Sequence, residues 1–202
     1  GAIAAAHFSP DGNTVLLTGR WDGRPWEVLE QRLDTLEPRP LGVALGRVVA
    51  SAVGEVALLT SLRRCRSDGL VPTGDLVRAP FPGGTARTVA EGVCDADWAR
   101  DGSAFAIVRV EPDVARLEYP PGRSLHTTPG MLSDPRVSPD GRSVAFLEYP
   151  VRGHMEARVG VVDGAGVARF LTEPRKSVEG IAWSPDGREI WHGGCLPCGS
   201  AG

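Results

Sequence analysis

One short phrase constrains this chain more than any other feature: an apolar or aromatic residue followed by Ser-Pro-Asp-Gly. It reads Phe8-Ser9-Pro10-Asp11-Gly12, Val137-Ser138-Pro139-Asp140-Gly141 and Trp183-Ser184-Pro185-Asp186-Gly187, with Trp98-Ala99-Arg100-Asp101-Gly102 as a looser copy. Each copy sits between two short apolar runs, so the unit reads as strand, tight turn, strand. Proline presets φ for the first central position of a type I turn, Asp bonds neighbouring amides, and Gly takes the left-handed position that closes a bulged hairpin. The backbone therefore explains Asp11, Asp101, Asp140 and Asp186 together, ahead of any reading as metal ligands or catalytic acids.

The spacing of the turn glycines exposes a further unit. Gly12 to Gly102 is 90 residues, whereas Gly102 to Gly141 is 39 and Gly141 to Gly187 is 46. The long gap contains Val48 to Leu59, which has the same strand, Gly, strand form with its turn glycine at Gly54 and the Pro and Asp lost. Units of about 40 to 45 residues built from several short strands are the spacing of a four-stranded propeller blade. The expected fold is all-β: a partial β-propeller of four-stranded antiparallel blades, about four and a half in number, at 1–43, 44–92, 93–130, 131–175 and an incomplete 176–194, followed by a tail at 195–202. Within the second unit the strands are expected at Arg47 to Ala52, Val56 to Ser61, Gly74 to Ala79 and Ala86 to Ala90. No segment carries a sustained helical period, so helix is expected to be nearly absent.

The Trp/Phe-Ser-Pro-Asp-Gly phrase followed by an apolar strand resembles the repeat of TolB-type propellers, which are related in shape to WD-repeat propellers. Three stretches, Trp21-Asp22-Gly23-Arg24-Pro25-Trp26-Glu27, Asp95-Ala96-Asp97-Trp98 and Pro135 to Gly141, resemble the propeller that follows the catalytic domain in some bacterial eukaryotic-like serine/threonine kinases. That resemblance implies a bacterial protein, with the propeller either outside the membrane or in the cytoplasm. TolB-type relatives commonly have six or more blades, so the chain is expected to be a fragment forming an open arc whose two end blades expose apolar faces. The remaining blades of the parent would be its partners there.

Composition removes several functions. The net charge of −3 and a pI near 5.8 argue against binding duplex nucleic acid. No apolar run is long enough to span a bilayer, and Gly1 to Ala6 lacks the basic start of a signal peptide. Cys195-Leu196-Pro197-Cys198 has a spacing used by zinc knuckles and dithiols, but there is no second such pair, and no metal or cofactor is expected. Cys65 and Cys94 either pair or are incidental. No G-x-S-x-G elbow occurs, and His7, His126, His154 and His192 fall in separate units without a shared motif, so no catalytic residues are assigned. Gly83-Gly84 and Gly164-Ala165-Gly166 lack the Lys and the helix of a phosphate loop and read as hairpin tips.

What remains is surface for recognition. The connection Arg20, Trp21, Asp22, Arg24, Trp26 in the first blade holds two Trp and two Arg, residue types that anchor interfaces, though both Trp serve equally as packing between blades. Tyr149, Arg152 and His154 occupy the equivalent connection of the fourth unit. Asp95 and Asp97 alternate along one strand and so face one side, either as solvated strand ends or as a site for a cation or a basic peptide. The expected function is a non-catalytic recognition module for a protein, peptide or small ligand, the sensor or scaffold part of a kinase-like signalling protein. The alternative is the gating propeller of a prolyl-oligopeptidase-type peptidase whose catalytic domain lies elsewhere.

Overall fold

The computed structural model describes residues 1–9, 12–20, 23, 26–35, 37–44, 47–52, 54–64, 72–81 and 84–194. All regular structure among them is strand, in small antiparallel sheets taken in chain order. The first sheet is β1 (Ala2–Phe8), β2 (Thr14–Arg20), β3 (Glu27–Arg32) and β4 (Arg39–Ala44). The second is β5 (Arg47–Ala52), β6 (Glu55–Arg64), β7 (Pro72–Pro80) and β8 (Arg87–Val93). The third is β9 (Asp95–Trp98), β10 (Phe105–Val110), β11 (Ala115–Glu118) and β12 (Ser124–Thr128). The fourth is β13 (Met131–Val137), β14 (Ser143–Tyr149), β15 (Glu156–Asp163) and β16 (Ala168–Phe170), with β17 (Arg175–Lys176) also on β15, and β18 (Glu179–Trp183) pairs with β19 (Ile190–Gly193). These are four blades of a β-propeller and half of a fifth.

The turns follow their residue types. In each, the turn glycine donates its amide to the carbonyl three residues earlier: Gly12 to Ser9 at 2.9 Å, Gly102 to Ala99 at 2.7 Å, Gly141 to Ser138 at 2.9 Å and Gly187 to Ser184 at 2.9 Å. Their φ values are 70°, 73°, 71° and 71°, and Gly54 is close to them at 72°, so the degenerate unit keeps its left-handed glycine. Asp140 Oδ1 accepts from Ser138 Oγ at 2.7 Å and from the Arg142 amide at 3.1 Å, and Asp186 does the same with Ser184 and Arg188 at 2.7 and 3.1 Å. The serine hydroxyls hold both carboxyls below the usual Asp range. Pro10, Asp11 and Val53 lie outside the described residues.

The core lies between blades, and strand alternation divides it. On β6, Val56 and Leu58 join Leu16, Val28 and Val48 in the seam between the first two blades, while Ala57 and Leu59 join Trp98, Phe105 and Ile107 in the next. On β10, Ala106 and Val108 point the other way, to Leu132, Val144 and Phe146, and on β14 Ala145 and Leu147 point onward to Val178 and Ile181. A strand buried on both faces is apolar at successive positions, which is why Val56 to Leu59 and Val144 to Leu147 read as continuous runs. Each sheet is thus the filling between its neighbours, and the first strands β1, β5, β9, β13 and β18 pack in sequence about the axis.

Two glycine substitutions separate turn strain from packing. A Cβ on Gly12 meets nothing within 4 Å and one on Gly141 meets only Tyr119 Oη at 3.6 Å, so alanine there costs the left-handed backbone alone, roughly 1 to 2 kcal/mol. A Cβ on Gly160 in β15 would lie 2.6 Å from Cζ of the fully buried Phe146, an overpacking cost of about 1 to 3 kcal/mol on a φ that is not left-handed. Urea unfolding of Gly141→Ala and Gly160→Ala should show both destabilised, with a compensating Phe146→Leu rescuing only the second.

Candidate functional site

The antiparallel order sends all the tight turns to one end of the propeller and the connections β2–β3, β6–β7 and β14–β15 to the other. Arg20 and Trp26 flank the first of these connections, and Tyr149, Arg152 and His154 belong to the last. Asp95 opens β9, so it starts from that same end. Counting back from the turn glycines aligns the axial strands: Ala5, Arg47, Asp95, Asp134 and Gly180 share one position, and His7, Val49, Asp97, Arg136 and Ala182 the next on that side. A register shift recurs beside the first position, between Ile3 and Ala5, Val48 and Ala50, Ser133 and Arg136, and Glu179 and Ile181. Bulges of this kind re-aim side chains out of the ladder. In β13 the bulge holds Asp134 at φ 50° just before Pro135, whose missing N–H is tolerated on an innermost strand.

An axial strand has one backbone edge with no strand beside it, and side chains from the adjacent blade fill part of that role. Asp95 Oδ2 accepts the Asp134 amide at 2.9 Å and Asp97 Oδ2 accepts the Val137 amide at 2.7 Å, which staples β9 to β13. Arg47 Nη2 donates to the Cys94 carbonyl at 2.7 Å and to Asp95 Oδ1 at 3.3 Å, which staples β5 to β9. The Val48 amide donates to Thr18 Oγ1 at 2.9 Å, and Trp183 Nε1 donates to the Arg136 carbonyl at 2.9 Å. Asp95 and Asp97 do share one side of β9, but they are not solvated strand ends. Alternation along a four-residue strand gives the side, whereas the blade it faces is a tertiary fact.

The convergence of the first strands brings their ionisable groups within reach of one another. Burial and then the cations Arg136 and Arg47 lower the His7 imidazole from 6.5 to about 4, against a hydrogen bond to the Val48 backbone and the Asp134 carboxylate. Residues of the first, second and fourth blades thus act on one another across the axis. Burial pushes the Asp97 carboxyl above its usual value, opposed by Arg136 and by the amides of Val137 and Trp98. Because Asp95 and Asp97 already accept amides and a guanidinium, the spare hydrogen-bonding capacity at this end is cationic. Arg47 Nε is buried with no partner among the described residues, and Arg136 donates from Nη1 to its own neighbour's carbonyl, Pro135 O, at 2.7 Å with Asp134 3.6 Å from Nη2. Arg47, Asp134, Arg136 and His7 escape a reading of single motifs and emerge only when the units are aligned on the turn glycine.

The loop residues divide by role. Arg20 is exposed with its guanidinium 5.1 Å from the centre of the half-buried Trp26 ring, so it presents a stacked cation to solvent. Trp21, Asp22 and Arg24 lie outside the described residues. Arg152 ties its loop to the third blade, donating to the Pro129 carbonyl at 2.8 Å and to the Glu111 carbonyl at 2.9 Å. Tyr149 ends β14 and packs against the cores on both sides of the fourth blade. His154 is exposed and lines a small cavity of about 90 Å³ with Pro150, Val151, Glu156 and Pro174. Cys94 is buried, while Cys65, Cys195 and Cys198 lie outside the described residues, among which no group of His, Cys, Asp and Glu is arranged to hold a metal. No described helix is long and apolar enough to cross a membrane.

No protein-family model and no curated protein sequence matches the chain. Solved structures do. A putative TolB from Agrobacterium tumefaciens superposes with a TM-score of 0.75 at 15% identity over 95% of this chain and 75% of its own, and TolB from Acinetobacter baumannii with 0.72 at 14% over 94% and 48%. A prolyl endopeptidase structure gives 0.55 at 13% identity over 90% of this chain and 29% of its own. The fold is that of a TolB-type β-propeller. The chain spans about three quarters of the first of these proteins and about half of the second.

The His7 environment makes a signed prediction. A histidine held neutral in the fold contributes stability that is present above the unfolded value of 6.5 and lost as pH falls towards about 4, because only the unfolded chain takes up the proton in that window. The loss approaches about 3 kcal/mol by pH 4. Urea midpoints followed from pH 7 to pH 4 should fall more steeply for the native chain than for His7→Gln, whereas parallel curves would place His7 in water.

Proposed function

We propose that this chain is a non-catalytic recognition module whose ligand surface is the loop end of the propeller. The observation that carries the reading is convergence. Two long connections, with Arg20 and Trp26 on one and His154 on the other, open at the end from which the axial strands start, where the half-buried Arg47 and Arg136 place two guanidiniums beside carboxylates, Asp95 and Asp134, that are already engaged in other hydrogen bonds. Stacked Arg and Trp at a rim, around a polar axial entrance, give an apolar anchor and charge-directed hydrogen bonds in one patch. The chemistry fits a protein or peptide segment.

In its finer form the reading makes the propeller the sensor or scaffold part of a bacterial serine/threonine kinase-like protein. The wording of Trp21 to Glu27, Asp95 to Trp98 and Pro135 to Gly141 supports it. A gating propeller of a prolyl-oligopeptidase-type enzyme is the other class, favoured by the prolyl endopeptidase likeness in fold. The open reading frame separates them: a kinase catalytic loop upstream supports the first, a G-x-S-x-G hydrolase downstream the second.

The surface is tested by Arg20→Ala with Trp26→Ala in the full-length protein. Circular dichroism and the melting point should stay near those of the native chain, while capture of bacterial proteins on the immobilised protein, quantified by mass spectrometry, should lose its specific bound set by tenfold or more. An unchanged bound set with an intact fold would exclude this loop as the anchor.

A further inference from the structure

At the opposite end, beside the Gly54 turn, the second blade carries a cleft of about 490 Å³ lined by Glu55, Arg78, Pro80, Thr85 and Arg87. Its charges form a row across three strands. Glu55 opens β6, Arg78 lies near the end of β7, and Arg87 stands directly opposite Arg78 at the start of β8. Glu55 and Arg78 are fully engaged with each other, Nε to Oε1 at 2.7 Å and Nη2 to Oε2 at 2.5 Å. The Arg78 guanidinium is also 5.1 Å from the ring centre of Trp98, which is 5% exposed and whose Nε1 has no partner among the described residues. Arg78 is therefore held between a carboxylate and an indole of the third blade.

Arg87 has no such engagement. It is exposed, its guanidinium donates no hydrogen bond among the described residues, and it faces another arginine across the ladder, where like charges directly opposed are destabilising. One carboxylate serves two guanidiniums, so the row carries one positive charge in excess on a chain whose net charge is −3. An external anion next to Arg87 would complete a charge-balanced row of carboxylate, guanidinium, guanidinium, carboxylate. A carboxylate meets this need better than a phosphate, because the Glu55 carboxylate already in the cleft repels a dianion. The cleft opens at β8, which ends its sheet and leaves one backbone edge without a strand, so an extended segment has room to lie there.

We propose that this cleft binds an acidic side chain of a polypeptide segment, with Arg87 as the fork that takes the carboxylate, Thr85 as a further donor and Arg78 as the fixed wall. The site is independent of the loop end and does not rest on the function assigned there.

The test is fluorescence polarisation of a labelled decapeptide of alternating Glu and Gly, its Gln counterpart as control and inorganic phosphate as competitor. The Glu peptide should bind, weaken as salt rises, and lose at least tenfold in affinity both on Arg87→Glu and when Gln replaces Glu. Arg87→Lys should retain part of the binding, Arg169→Glu on β16 should change nothing, and Arg87→Gln serves if the charge reversal unfolds the chain. Equal binding of the Gln peptide, indifference to the Arg87 substitutions, or displacement by phosphate at the peptide's own concentration would overturn the assignment.

Discussion

Each blade here is a sheet too small to fold alone, and its axial strand carries a backbone edge that no other strand pairs. A buried amide without a partner costs about 1 to 3 kcal/mol, so the edge has to be answered from the neighbouring blade. Asp97 to the Val137 amide, Asp95 to the Asp134 amide, Arg47 to the Cys94 carbonyl and Thr18 to the Val48 amide are those answers. They fix the order and angle in which blades stack, and they bring the charged positions of the axial strands together. Burial of both faces of β6, β10 and β14 supplies the bulk of the stabilisation, but apolar faces alone are non-directional and set no register between blades.

The polar lacing has a functional corollary. Because the Asp residues of β9 are occupied in holding β13, the proposed loop-end surface rests on Arg47, Arg136 and the stacked pair of Arg20 and Trp26. At the turn end the balance is similar in kind: Glu55 is spent on Arg78, and Arg87 is left over. In both proposed surfaces the charges offered to a ligand are those that remain after the fold has taken its share, on a chain whose net charge is −3.

Much of this was legible in the sequence where a residue type answers a local backbone demand. The turn phrase needs Gly at a positive φ, so five turns could be placed from five glycines, Gly54 included, and Arg47–Ala52 and Asp95–Trp98 have the bounds their apolar alternation indicates. Other limits moved because pairing extended beyond the apolar run: β6 continues to Arg64 and β7 begins at Pro72, in a long ribbon whose outer part is polar. Strand β17, just Arg175–Lys176, has no apolar pattern to betray it and exists only because Glu156 and Ala157 offer an edge. The site was half legible. Alternation put Asp95 and Asp97 on one side, but the amides they accept lie 39 and 40 residues away in the chain, a distance no local pattern spans. The bulges that aim Arg47 and Asp134 are equally a property of pairing.

The most direct measurement is amide hydrogen exchange at Val137, followed by NMR in the native chain and in Asp97→Ala. Radial stacking with side-chain lacing predicts that the native Val137 amide exchanges slowly, and that removing the carboxylate accelerates it at least tenfold while the mid-blade amides of β14 keep their protection. Unaltered exchange at Val137 in the variant would mean that β9 does not hold β13, and would contradict the lacing of the axial strands on which the proposed loop-end surface depends.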